Sequence, residues 1–259
     1  GPTMLRSAAK NYRYVTVITN HEDYENVLKE LKQKGNTSLK TREKLAVKVF
    51  NHTADYDAAI DTYLSEKLKE EKKLRLKFVN GKELRYGENW HQKAHLYLDE
   101  DCDESNVPKA EVLHGKAMSY NNYVDADGSF ESVKELKDAF GVSVIKHTNP
   151  CGLATGSSLS EAMRYAWEGD VVSAFGSVIS CTRKVDLKTA EFLKGKFVEA
   201  VIAPDFDDDA LKFLKEKSKN LRLIKVKDLN KGEEVKKVYR HVIGGMLEQS
   251  RDVELFDKF

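Results

Sequence analysis

Between residues 142 and 226, short β-branched runs alternate with stretches of helical period, and this alternation constrains the chain more than any other feature. The runs are 142–146 (VSVIK), 175–180 (FGSVIS), 199–203 (EAVIA) and 221–226 (LRLIKV). Between them lie 158–168 (SLSEAMRYAWE), 187–193 and 207–217, which read as helices. Ser158 or Ser160 is placed to cap the first of these. Residues 149–152 (NPCG) read as a turn. Strands that alternate with helices predict an α/β sheet with helices on its faces.

Upstream, residues 83–87, 94–98 and 110–114 read as short strands. Residues 121–139 predict a helix with Phe130, Val133, Leu136 and Phe140 on one face. The first seventy or so residues differ in character. Residues 5–10 close a helix and 14–19 (YVTVIT) read as a buried strand. A helix opening at 21–24 runs to about 34, with Tyr24, Val27, Leu28 and Leu31 on its apolar face and Gly35 as its C-cap. A long helical region covers roughly 39–69, with Leu45, Val49, Phe50, Tyr56, Ile60, Tyr63 and Leu64 on one face. Residues 66–77 (EKLKEEKKLRLK) are mostly charged. They read as a solvated helix end and linker, because Glu66, Glu70 and Glu71 cancel most of the field a basic arm would need. The domain boundary is expected near 73–78. No internal repeat is seen.

Composition narrows the function. Against 43 Lys and Arg stand 42 Asp and Glu, a formal charge of +1. That balance speaks against a general polyanion binder, so no nucleic-acid partner is expected. No apolar run approaches the ~18 residues of a membrane helix, and no charged-then-apolar segment opens the chain. Three scattered cysteines, Cys102, Cys151 and Cys181, do not make a disulfide framework. The expected class is a globular, cytoplasmic protein with no membrane partner. The chain begins Gly1-Pro2-Thr3 and ends Leu255-Phe256-Asp257-Lys258-Phe259. It reads as a processed chain or as a piece of a longer one.

Several clusters could carry chemistry. Residues 144–150 (VIKHTNP) end a buried run in Lys146-His147 and turn at once. In open α/β sheets ligands bind beyond the carboxyl ends of strands. A neutral imidazole there can take a proton from a weak nucleophile, and the adjacent ammonium can stabilise negative charge or hold a phosphate. An ordinary solvated strand end is the plainer reading. Cys151 invites a zinc reading, but the second cysteine a zinc deaminase would need three residues later is Ala154, so no zinc is expected. Cys151 reads instead as a small thiol in a turn.

Residues 84–92 (LRYGENWHQ) are dense in polar and aromatic groups. Arg85 can grip a phosphate and Tyr86 can stack on a base. His91 and His95 are four apart but span a loop and a strand, a poor metal pair. Asn121 and Asn122 can cap the helix that follows or donate to a ligand. In 169–176 (GDVVSAFG), Asp170 can accept from a ribose hydroxyl or an amine, or simply belong to an ordinary connection. Asp207-Asp208-Asp209 reads as the acidic first turn of a helix rather than a cation site.

Taken together in this order, 85–94 (RYGENWHQKA), 119–127 (SYNNYVDAD), 144–152 (VIKHTNPCG), 169–180 (GDVVSAFGSVIS) and 244–252 (GGMLEQSRD) resemble the bifunctional enzymes of purine biosynthesis that join AICAR (5-aminoimidazole-4-carboxamide ribonucleotide) formyltransferase to IMP cyclohydrolase. Residues 1–17 and 50–60 resemble the closing part of the cyclohydrolase domain, so the likeness covers nearly the whole chain. The resemblance implies formyl transfer from the co-substrate 10-formyltetrahydrofolate to the 5-amino group of AICAR, followed by ring closure to IMP. It implies that His147 accepts the amine proton and Lys146 stabilises the transition state. Arg85, Tyr86, Asn122 and Asp170 match nucleotide contacts, and Lys10 matches a cyclohydrolase lysine.

The implied fold is a cytidine-deaminase-like mixed sheet with flanking helices and no zinc, over 73–259, preceded over 1–72 by the C-terminal α/β tail of a cyclohydrolase domain. The implied assembly is a homodimer binding nucleotide and folate. Trp90 stands where the family usually has proline. The family's KSN, GSGQ-S-R and SDAFFPF segments do not follow Gly245, and its cyclohydrolase begins well before Gly1. The expectation is therefore an internal piece holding part of each site. The alternative is a non-catalytic nucleotide-binding or structural piece that needs a partner half.

Overall fold

The computed structural model describes residues 1–71, 73–229, 232 and 236–252. The chain divides into two compact units, Gly1–Leu76 and Lys77–Phe259.

The first unit is helical among its described residues. α1 (Pro2–Lys10) starts with proline at its first turn, where the missing N–H costs nothing. A short 3-10 turn, His21–Asp23, leads into α2 (Tyr24–Lys34), which ends on Gly35 at φ +70°. Ser38 caps α3 (Leu39–Leu68), its hydroxyl accepting from the Thr41 N–H. Ala9, Val17, Ala46 and Val49 form a small core.

The strand expected over 14–19 does not form: among the described residues no strand pairs with it, and only Val17 of that run is buried. An apolar run without a neighbouring ladder cannot satisfy its backbone as a strand. Arg42 instead holds the preceding loop, donating to the carbonyls of Tyr12 and Arg13. The apolar faces expected on the helices are only partly used. Val27, Leu45 and Val49 are buried, whereas Tyr24, Leu28, Leu31, Tyr56, Ile60, Tyr63 and Leu64 stay exposed.

The second unit is a three-layer α/β structure. β1 (Val79–Glu83) pairs antiparallel with β2 (His95–Leu98). The main sheet contains β3 (Glu111–His114), β4 (Phe140–Lys146), β5 (Asn149–Gly156), β6 (Ser177–Cys181), β7 (Val198–Ala203) and β8 (Arg222–Lys225), in the order β3-β8-β7-β6-β4-β5. β6, β7 and β8 are parallel, while β3 and the β4–β5 hairpin run antiparallel to their neighbours.

Side chains alternate across this sheet as the pleat requires. Val178, Ala200, Ile202 and Ile224 pack under α4 (Tyr120–Lys134). Val142, Val144, Ile179, Cys181, Val201 and Leu223 meet α5 (Leu159–Glu168), α6 (Leu187–Phe192) and α7 (Asp208–Lys217) on the other face. The α/β expectation holds at this level. Ser158 is the cap of α5, and Asp208 and Asp209 fill the first turn of α7.

Two further expectations are corrected, and one further element appears. Residues 149–152 begin strand β5, and the turn lies one step earlier at His147-Thr148. α4 stops at Lys134, so Phe140 opens β4 and is exposed rather than on the helix face. Residues 237–250 form a further hairpin, β9 (Lys237–Val242) with β10 (Gly245–Ser250), turning at Ile243-Gly244. The terminal residues 255–259 lie outside the described residues. Among the described residues, no helix is long and apolar enough to cross a membrane.

Candidate functional site

The site grows from one edge of the main sheet. β3 and β4 end there and β6, β7 and β8 begin there. The expectation of a ligand beyond strand carboxyl ends therefore applies to β4, but not to the parallel strands, whose amino ends line the same edge.

β4 is buried from Gly141 to Ile145 and emerges at Lys146. The next two residues both adopt the left-handed conformation, His147 at φ +52° and Thr148 at φ +63°. Together they form a two-residue hairpin of the kind that demands positive φ at both positions. The ammonium of Lys146 donates to the Phe175 carbonyl at 2.8 Å, tying the hairpin to the loop before β6. Behind the hairpin, Gly152 permits a close approach: a Cβ there would lie 1.9 Å from the Ala166 carbonyl oxygen of α5. That contact draws the end of α5, and with it Asp170, against β5.

The result is a cleft of about 390 Å³ lined by Lys146, His147, Asn149, Pro150, Cys151, Asp170 and Ser173. The N–H groups of Val172 and Ser173 donate to the Asp170 carboxylate at 3.1 and 2.9 Å. Hydrogen bonds from Ser173 are the main reason its carboxyl sits below the usual aspartate range, so it is an acceptor at neutral pH. Burial, and then the Asp170 charge, push the Cys151 thiol up despite Lys146 nearby. A thiol raised in this way is a wall of the cleft and not an activated nucleophile.

A second, smaller cleft of about 190 Å³ lies along the same edge, lined among others by Arg85, Tyr86, Lys116, Phe197, Asn220 and Arg222. The ring of Phe197, in this second cleft, meets at 5.1 Å the ring of Phe175, whose carbonyl accepts from Lys146 in the first. Buried Arg222 fixes the loop after β3. Its guanidinium donates to the carbonyls of Lys116 and Ala117 at 3.1 and 3.2 Å and pairs with Glu199. The loop that carries Arg85 rests on the start of α4, where the Tyr120 N–H donates to the Tyr86 carbonyl at 3.2 Å and the Asn121 amide to Glu88 at 3.0 Å.

The structure thus brings Lys146, His147 and Asp170 into one cleft and places Arg85 and Tyr86 in the next. Asn122 is buried in the first turn of α4. Its carboxamide oxygen accepts from the Ser119 N–H and hydroxyl, so that oxygen completes a capping box. Lys10 is the exposed last residue of α1, in the other unit. His91 packs against Trp90 in a loop and His95 lies in β2. Among the described residues, no three His, Cys, Asp or Glu side chains are grouped to hold a metal ion.

Sequence reasoning missed Lys116, Ser173 and Asp125, whose carboxylate accepts from the Thr148 N–H of the hairpin at 2.8 Å. The last lies three residues after Asn122, on the same face of α4, and that spacing was the available signal. Lys116 and Ser173 sit in loops whose approach to the edge only the sheet order reveals.

The bifunctional purine biosynthesis protein PurH of Lactobacillus acidophilus is 48% identical over 254 residues, covering 97% of this chain and 49% of that protein. The PurH of Persephonella marina is 45% identical over 263 residues, covering 100% of this chain and 51% of that protein. The PurH of Halalkalibacterium halodurans is 46% identical over 260 residues, covering 100% and 50%. The chain spans about half the length of these curated relatives. A sequence model of the AICARFT/IMPCHase bienzymes matches residues 8–258, and the chain belongs to that family.

Proposed function

We propose that the second unit holds the Lys-His half of an AICAR formyltransferase site and that the first unit is the closing part of an IMP cyclohydrolase domain. One observation carries the reading: Lys146, His147 and Asp170 share a cleft that lies beside the Arg85–Tyr86 cleft on one sheet edge. In this reading residues 73–259 are cytidine-deaminase-like, which the antiparallel β4–β5 hairpin beside three parallel strands supports. Residues 1–72 include Lys10 as the cyclohydrolase lysine.

Arg85 and Tyr86 bind the phosphate and ribose of AICAR, and Asp170 accepts from a polar hydrogen of the nucleotide. Asn122 acts by fixing the start of α4 beside them. The 5-amino nitrogen attacks the formyl carbon of 10-formyltetrahydrofolate, a new C–N bond forms, and the bond from that carbon to the folate nitrogen breaks. The imidazole of His147 takes the proton the amine sheds, and that proton passes to the departing folate nitrogen, so none is gained or lost overall. The Lys146 ammonium, aimed by the Phe175 carbonyl, faces the oxygen on which negative charge develops. The protein is read as a cytoplasmic homodimer, with the remaining half of the family's length completing the folate side.

Titrating AICAR into the 259-residue chain by calorimetry tests this. Saturable binding, weakened about tenfold or more in both Lys146→Ala and Arg85→Ala, is the expected outcome; tenfold corresponds to ~1.4 kcal/mol. A folded chain that takes up no AICAR overturns the claim that this half organises the nucleotide site by itself.

A further inference from the structure

The Lys-His hairpin is built against the grain of its own sequence. Two successive residues without glycine's freedom, His147 and Thr148, hold φ at +52° and +63°. Threonine is a poor choice for that region, because its branched Cβ crowds the backbone there. Asparagine or glycine would be the usual solution for such a turn. Something outside the hairpin must therefore favour this conformation.

The group in position is Asp125. It lies on α4, one turn beyond the capping box, and is 9% exposed. One carboxylate oxygen accepts from the Thr148 N–H at 2.8 Å. The other bonds at the tip are made within the hairpin itself: the Thr148 hydroxyl and the Asn149 amide both donate to the His147 carbonyl, at 2.6 and 2.8 Å. These close the turn but do not fix it relative to the helix. Among the described residues, only the Asp125 bond ties the turn's backbone to α4, and a carboxylate acceptor held away from water makes it a strong one.

The consequence for His147 follows from backbone geometry. In a β conformation its side chain would fall in the alternation of β4, on the face opposite that of Lys146. In the left-handed turn both side chains line the same cleft. We propose that Asp125 is a positioning residue: by binding the Thr148 N–H it holds the hairpin in the left-handed turn that presents His147 beside Lys146. The proposal deepens the nucleotide reading above and rests on it for its catalytic meaning.

Solution NMR on the 259-residue chain tests the geometry separately from the chemistry. In the unaltered chain the Thr148 amide is expected to exchange slowly. In Asp125→Ala that amide loses protection at least tenfold and the left-handed shifts of His147 and Thr148 vanish, while the remaining spectrum stays dispersed. Asp125→Asn, which keeps an acceptor oxygen, retains most of the protection. Asp125→Ala combined with Thr148→Gly restores the turn, because glycine adopts positive φ without strain.

AICAR affinity is expected to fall about tenfold in Asp125→Ala and to recover in the double variant, a rescue that simple loss of fold would not show. An unprotected Thr148 amide in the unaltered chain, or protection unchanged in Asp125→Ala, overturns the proposal. So does full AICAR affinity in a variant whose turn has relaxed. If the unaltered chain gives no AICAR response at all, the nucleotide reading fails instead, and the Thr148 exchange still decides the role of Asp125.

Discussion

Arg222 shows how one residue organises this sheet edge. It is 2% exposed, yet it opens a strand in a largely apolar sheet. Its charge is tolerated because every direction of the guanidinium meets an acceptor: the carbonyls of Lys116 and Ala117, and Glu199. Removing such a group leaves buried acceptors without donors, which costs more than the pair itself contributes. Arg222→Met keeps most of the stem volume and deletes the donors. The expected loss is about 3 kcal/mol, read as a lower urea midpoint at unchanged slope. A shift worth less than about 1 kcal/mol would mean that water replaces the guanidinium at no great cost. None of this was legible from the run LRLIKV, where Arg222 reads as an ordinary polar residue in an alternating strand. The residue it steadies, Lys116, lies 106 positions away.

At the scale of elements, helix α5 is the best determined by its own residues, and its start carries a pH dependence. Ser158 caps the helix, and Glu161 reaches back to accept from the N–H and hydroxyl of Ser157 at 2.8 and 2.6 Å while Tyr165 donates to its other oxygen at 2.9 Å. These bonds, those from Ser157 first, pull the Glu161 carboxyl down to about 2. A depressed carboxyl contributes stability only while ionised. The contribution is complete above the ordinary glutamate range and is lost as pH falls from that range toward about 2. Exchange protection of the Ser157 amide should fade over that window, and Glu161→Gln should remove the dependence. Protection independent of pH in the unaltered chain would show that Glu161 does not hold this cap.

The same scale shows why some elements could be read and others could not. α5 and α7 carry their caps and periodicity within themselves, and β6, β7 and β8 are runs that any buried sheet would accept. By contrast, 14–19 and 149–156 are settled by partners. The first has the composition of a strand and nothing to pair with. The second opens with Asn-Pro-Cys-Gly and becomes a strand because β4 lies alongside it. The turn between β4 and β5 has no glycine or asparagine at its two central positions, so it gave no local sign. The hairpin of 237–250 carries a local sign, since Gly244 at φ +84° sits between its two strands. The polar ends of the site could be named one by one, but their meeting on one edge depends on strand order.

At the scale of the whole molecule, the two units differ most in what they bury. The second encloses two cores, one on each face of its sheet. Among the described residues the first encloses a single small cluster around Val49, and half of α3 leaves Tyr56, Ile60, Tyr63 and Leu64 exposed. Burial is the main favourable term in folding, and small units bury a smaller fraction of their surface. The units should therefore unfold separately, the helical one first. Calorimetry is expected to show two transitions, the lower belonging to residues 1–76. The chain trimmed to 77–259 should keep the upper one within a few degrees and keep its AICAR response. Lys146, His147, Asp170, Arg85 and Tyr86 all lie within that unit, so the nucleotide reading requires the trimmed chain to bind as the longer one does. A single transition with equal calorimetric and van't Hoff enthalpies would instead make the chain one cooperative body. The cleft would then depend on helices that contribute no residue to it.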